Sequence, residues 1–151
     1  MTPHFTLQEF VASTTAARSG IDNRLPEELK PAALATLEMM ERIRSHLSTL
    51  AGRPVPIRIS SGYRSPQLNL MVGSSSTSDH PKACAVDWTA ESFGSPYQIA
   101  CALAPHVQAL GIGQLIAEFG EWTHCSTRVP DKAVNRILTI DRSGTRVGIH
   151  G

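Results

Sequence analysis

Three residues with the chemistry of metal ligands, His80, Asp87 and His124, stand in two separated stretches of this chain. The first two belong to SGYRSPQLNLMVGSSSTSDHPKACAVD, Ser61 to Asp87, which also carries Arg64 and a glycine- and serine-rich loop; the third lies in EWTHCS. Two imidazoles and one carboxylate suit a catalytic zinc that keeps its fourth position open for water. An aspartate on a buried strand is costly unless a cation neutralises it. By spacing alone, however, an ordinary hydrogen bond between one histidine and one aspartate explains His80 and Asp87 better than a metal does.

The elements that must position these residues follow from pattern. Thr6 and Glu9 in FTLQEF form a capping box after Phe5, so the pattern predicts a short helix over about Leu7 to Ser13. The segment TTAARSGIDNRLP reads as a surface loop. From Pro31 to Leu50 the residues Leu34, Leu37, Met40, Ile43, Leu47 and Leu50 mark one face of a long amphipathic helix, with Glu38 and Arg42 paired on the outside. Val55, Ile57 and Ile59 alternate as in a strand, and Ser65 and Pro66 open a short helix that Gly73 stops. ACAVDW is a strand on which Ala85 and Asp87 share one face, while Cys84, Val86 and Trp88 share the other, which makes Cys84 a small buried residue rather than a ligand. A second helix opens at Ser95 and Pro96, presents Ile99, Cys101, Leu103, Val107 and Leu110, kinks at Pro105 and ends at Gly111. QLIAEF and WTHCSTR are strands joined tightly around Gly120, and RILTID is another before the turn at Ser143 and Gly144. Two or three helices with four or five strands, several in local hairpins, predict an α+β fold with an antiparallel or mixed sheet and helices packed on it.

Composition limits what such a fold would do. At 151 residues the whole chain, 1–151, is expected to form a single domain. A formal net charge of +1 supplies no field for nucleic acid, and nothing of the GxGxxG or Walker type suggests a nucleotide. Three cysteines, Cys84, Cys101 and Cys125, are an odd count without framework spacing, which points to reduced thiols and synthesis in the cytoplasm. No stretch approaches a membrane span, and the N-terminus lacks the pattern of a signal peptide, so no membrane insertion and no leader are expected.

Several separated motifs together resemble one family. SGYRSPxLNxxVGxSxxSxH, the AxD of Ala85 to Asp87 and the WxH of Trp122 and His124 are similar to zinc peptidases that include D-Ala-D-Ala carboxypeptidases and L-alanyl-D-glutamate endolysins, whose fold the hedgehog signalling domain shares. The similarity takes in HFTLQEF and TAARSGIDN and is closest to the small members found in phages and prophages. It implies one zinc ion held by His80, Asp87 and His124, with Arg64 stabilising an oxyanion or holding a substrate carbonyl. Ser78 matches a serine lining the site, with capping of the loop as its equal alternative, and Tyr63 either reaches substrate or anchors the turn. The family's HxxGxAxD carries a glycine where this chain has Ala83, a position that matters if the backbone there needs positive φ.

The general base is open between two glutamates. Glu121, three residues before His124, has the acid-x-x-His spacing and is favoured; Glu118, six before, has the hedgehog-like spacing. Either would deprotonate a metal-activated water for attack on a peptide carbonyl. The implied function is hydrolysis of a peptidoglycan stem-peptide bond, either D-Ala-D-Ala or an L-Ala-D-Glu-type bond, by a monomer acting on the cell wall after phage lysis or from a phage particle. The alternatives are a non-catalytic zinc-stabilised binding module and a metal-free structural domain of a phage particle. His4, His46, His106 and His150 have no ligand setting, Cys125 faces away from His124 in a strand, and Trp88 and Trp122 read as packing residues.

Overall fold

A computed structural model describes residues 2–75 and 77–151; Met1 and Ser76, the latter within the serine-rich loop, lie outside the described residues. The fold is α+β, with five α-helices and a mixed six-stranded sheet among the described residues. The helices are α1 (Leu7–Val11), α2 (Thr14–Ser19), α3 (Lys30–Ala51), α4 (Pro66–Met71) and α5 (Pro96–Leu103). The strands are β1 (Arg58–Ser61), β2 (Ala85–Thr89), β3 (Gln114–Glu118), β4 (Trp122–Ser126), β5 (Ile137–Asp141) and β6 (Gly144–Val147). Their order across the sheet is β1-β2-β4-β3-β5-β6, antiparallel throughout except for the parallel β3–β5 pair.

The capping box of Thr6 and Glu9 starts α1 as expected, and Phe5 and Phe10 are buried on either side of it. The TTAARS segment is not a loop: Ser13 accepts a hydrogen bond from the Ala16 amide, and α2 runs until Gly20 ends it in the left-handed conformation. Small residues hid this helix, because only Ala16 of its length is buried and no apolar period shows. Helix α3 buries Leu37, Met40, Ile43 and Leu47 along one stripe, joined by Ala33, Thr36 and Met39. Its expected end residue Leu50 is exposed, since the helix overruns the core before Gly52 caps it. Arg42 does not serve the outer face; its Nε donates to the Leu110 carbonyl at 2.8 Å and ties α3 to the segment after α5.

Strand β1 is shorter than the Val55-to-Ile59 alternation suggested, and as an edge strand it meets β2 through an irregular register between Ile59 and Ser61. Helix α5 ends at Leu103 rather than Gly111, because Pro105 falls in a 3-10 turn over Ala104–His106. Cys101 is exposed on α5, and Cys84, just before β2, is half-buried, so neither is the core residue that pattern suggested. Strand β6 adds the hairpin partner of β5.

Alternation along the central strands divides the sheet into two faces with different uses. Val86 and Trp88 of β2, Leu115 and Ala117 of β3 and Cys125 of β4 pack with α3 and with Ile99 and Leu103 of α5 in one core. At about 25 cal/mol per Å² of apolar surface, that layer is the main source of stability. The residues between them, Asp87, Ile116, Glu118, Trp122 and His124, are thereby turned to the opposite face, where they line a cleft of about 740 Å³.

Candidate metal centre

The centre is assembled from two neighbouring strands and one loop. Asp87 and His124 are direct cross-strand partners in the β2–β4 ladder, so their side chains leave the sheet together. His124 Nδ1 lies 2.8 Å from Asp87 Oδ1. His80 opens a 3-10 turn (His80–Lys82) and brings Nε2 to 3.4 Å from Asp87 Oδ2. One ligand atom from each of the three residues falls within 4.8 Å of the others, and all three are buried.

The surroundings orient each imidazole. His80 Nδ1 lies 2.6 Å from the Gly62 carbonyl, which accepts a hydrogen and leaves Nε2 as the free lone pair of a neutral ring. That carbonyl is placed by the Ser61-to-Arg64 turn, which hangs on α1 through the Tyr63 amide and the Phe10 carbonyl, 2.8 Å apart. A Cβ on Gly62 would collide with the carbonyl and ring of Phe10, so glycine is required by close approach. Ala83, after the turn, has φ +59°, the left-handed conformation that the glycine of related motifs would take without cost. Its carbonyl accepts from Thr36 Oγ1 of α3 at 2.8 Å, which holds this strained entry into β2.

Asn23 and Asp79 complete the frame, and neither was singled out from sequence. Asn23 Nδ2 donates to the Val11 and Tyr63 carbonyls at 2.8 and 3.1 Å, and its Oδ1 accepts from the Ser65 amide at 2.7 Å. Asp79 accepts from Ser126 Oγ at 2.7 Å and from Arg128 Nη1 at 2.9 Å, pinning the His80 loop to the end of β4. The signal for Asn23 was its place in the TAARSGIDN segment; Asp79 precedes a ligand, but its partners are distant in sequence.

Electrostatics show a site that wants a cation. Burial pushes the His80 pKa down, which favours the neutral ring. Burial acts the same way on His124, but its hydrogen bond to Asp87 and the charges of Asp87 and Glu118 outweigh it and raise the pKa. For Asp87 burial is opposed chiefly by the hydrogen bond from His124, which holds the carboxyl well below the usual carboxylate range. An ionised carboxylate facing the lone pair of a neutral imidazole at 3.4 Å puts two acceptors together. A divalent ion between them satisfies both, and a His-Asp-His donor set beside an open cleft fits zinc with room for water.

A family model described as Peptidase M15 matches residues 3–126, most of the chain, including all three of these residues. The chain belongs to the M15 peptidase family. M15 peptidases are zinc-dependent, which agrees with the donor set just described. No curated protein matches the chain. The M15 match stops at the last residue of β4, and the β5–β6 hairpin lies beyond the matched residues.

Around the M15 centre the other candidate residues are distributed unevenly. Glu118 is on the cleft face, its Oε1 3.9 Å from His124 Nδ1, and burial and then Asp87 raise its pKa against the pull of His124 and Arg64. Glu121 lies beyond the β3–β4 turn, exposed, and lines two other clefts instead of this one. Arg64 lines the cleft; its guanidinium is within 3.5 Å of Ser74 Oγ, while its buried Nε has no partner among the described residues. Ser78 lines the cleft too, and its Oγ accepts from the His80 amide at 3.3 Å, so lining and capping coincide in one residue. Tyr63 is 4% exposed and packs in the core below the turn rather than in the cleft.

Trp88 is fully buried in the core, whereas Trp122 lines the cleft beside Phe119, Gln114, Ile116 and Ile140. Of these, Ile116 and Ile140 had no signal in the sequence apart from their strand positions, and Phe119 had none. Cys125 faces away from His124, buried, with its thiol pushed up to about 12 by burial, which removes it as a nucleophile.

Proposed function

We propose that this M15 peptidase hydrolyses a stem-peptide bond of peptidoglycan, with His80, Asp87 and His124 holding zinc and Glu118 as the general base. The observation that carries the reading is the convergence on one cleft of the three ligands, a partly buried carboxylate and a half-buried arginine whose buried Nε is unpaired among the described residues. Bound zinc would supply an acidified water and a Lewis acid for the scissile carbonyl. Glu118, whose pKa burial raises, is the carboxylate beside His124 proposed to take the proton of an attacking water and then to pass it to the leaving amine. Arg64 offers its free donors to a substrate carbonyl or carboxylate, and the Ser74, Ser75 and Ser78 hydroxyls around it suit a polar peptide backbone. Glu118 is taken as the base in place of Glu121 because it stands beside His124 in the metal cleft, whereas Glu121 lines the two neighbouring clefts.

The test is amine release from purified peptidoglycan by zinc-loaded protein, with muropeptides identified by mass spectrometry. Loss of one alanine identifies a carboxypeptidase, and severed stems identify an endopeptidase. Glu118→Gln is expected to lower the rate about 100-fold or more, the usual scale for removing a general base. Glu121→Gln is expected to stay within about threefold, a change of less than 1 kcal/mol. The opposite ranking of the two variants moves the base to Glu121, and no amine release by the wild type leaves a zinc-stabilised binding module.

A further inference from the structure

The β3–β4 turn carries a side chain that neither the turn nor the core requires. Glu118 to Glu121 is closed by the Glu121 amide donating to the Glu118 carbonyl at 3.0 Å, with Phe119 at φ +55° and Gly120 at φ +64°. Two successive positive φ values define the I′ hairpin turn, whose first central position favours asparagine, aspartate or glycine. Phenylalanine there is strained, because its Cβ crowds the backbone in the left-handed region. Core packing does not compensate, since Phe119 remains 46% exposed. Local strain at an exposed aromatic next to a reactive site is a reason to look for a ligand contact.

Phe119 sits where two clefts meet. Together with Trp122 it lines the metal cleft, and the same two rings line a neighbouring cleft of about 560 Å³ with Glu121, Asp141, Arg142 and Ser143. The ring centroids are 5.5 Å apart with planes at 49°, a tilted pair in contact that presents an apolar corner rather than a flat table. Ile116 and Ile140 continue the apolar strip along the metal cleft. The Phe119 amide donates to the Ile140 carbonyl at 2.7 Å, so β5 holds the turn in place. Arg64 and the hydroxyl-bearing loop form the polar part of the same cleft.

We propose that Phe119, backed by Trp122, is a substrate-binding residue that grips an aliphatic side chain of an extended peptide where the peptide leaves the metal cleft for the neighbouring one. The inference rests on the peptidase reading and adds to it a substrate long enough to cross the β3–β4 turn. The packed, tilted pair offers an apolar corner continuous with Ile116 and Ile140, which suits an alkyl group. The contact also assigns a role to the β5–β6 hairpin, which supplies Ile140 and the Asp141–Ser143 side of the second cleft.

The experiment measures peptide binding and thermal stability separately. Zinc-loaded Glu118→Gln protein, with and without Phe119→Asn, is titrated calorimetrically with a free stem pentapeptide and with the same peptide carrying its disaccharide. Phe119→Asn is expected to weaken the free pentapeptide about tenfold, the scale of one aromatic contact, with Tm unchanged or raised because asparagine suits the turn. Phe119→Leu should recover part of the affinity. Unchanged pentapeptide affinity overturns the proposal, as does a lowered Tm with unchanged affinity, which marks a structural residue. Weakening confined to the disaccharide-bearing ligand overturns it in favour of a sugar platform. Amine release by the wild type is followed in parallel: its absence alongside Phe119-dependent binding removes the hydrolase reading and keeps the groove. Absence of pentapeptide binding in both wild type and Glu118→Gln removes the groove itself.

Discussion

At the scale of the residue, the centre is governed by what surrounds each ligand. Asp87 is buried and anionic because His124 donates to it, so its folded pKa lies below the unfolded value of 3.8. The sign follows: a depressed carboxyl pKa stabilises the fold above about pH 4, and that contribution is lost as pH falls through the unfolded value towards the folded one. Denaturant unfolding of the metal-free protein should therefore show stability dropping on the acid side of pH 4, with a flatter curve for Asp87→Asn. Equal slopes for the two proteins would remove the electrostatic account of this residue. Ala83 shows the same dependence on surroundings. The motif flagged it as a position where glycine is usual; its φ of +59° and the Thr36 hydrogen bond explain both why glycine suits it and how alanine is tolerated.

At the scale of the element, strands set direction and loops are held by side chains. The β2–β4 register puts Asp87 opposite His124, and a one-residue slip of either strand would send its ligand into the helical layer. The Ser61-to-Arg64 turn has no ladder to hold it and depends on Asn23, which bridges α1, the turn and the N-cap of α4. Asn23→Ala removes all three hydrogen bonds and is expected to cost about 2–3 kcal/mol, read as a lowered urea midpoint. It should also weaken metal binding, since the Gly62 carbonyl that orients His80 belongs to the same turn. A full-strength metal site in Asn23→Ala would separate this frame from the centre. Short elements were the ones pattern could not resolve: α2 has one buried residue, and β6 has none.

At the scale of the molecule, metal and fold are coupled, because the ligands come from β2, β4 and the loop between α4 and β2. Zinc at about 1,000 times its Kd should add about 4 kcal/mol to stability. That corresponds to roughly 10 °C in Tm for a domain of this size, measured by calorimetry before and after chelation. Identical Tm values for loaded and chelated protein would mean that the three residues form only the hydrogen-bonded cluster that spacing alone favoured. No helix among the described residues is long and apolar enough to cross a membrane. The sequence by itself determined the long α3 helix, the α+β class, the capped helix starts and the grouping of His80, Asp87, His124 and Arg64, because periodicity, cap chemistry and motif order are local signals. Only the tertiary structure decided which glutamate stands beside His124, that Tyr63 packs inside, and that Phe119 and Ile140 wall the cleft. Those outcomes depend on which way a tight turn throws a side chain and on which strand pairs beside β3, and neither is encoded in the spacing of residues along the chain.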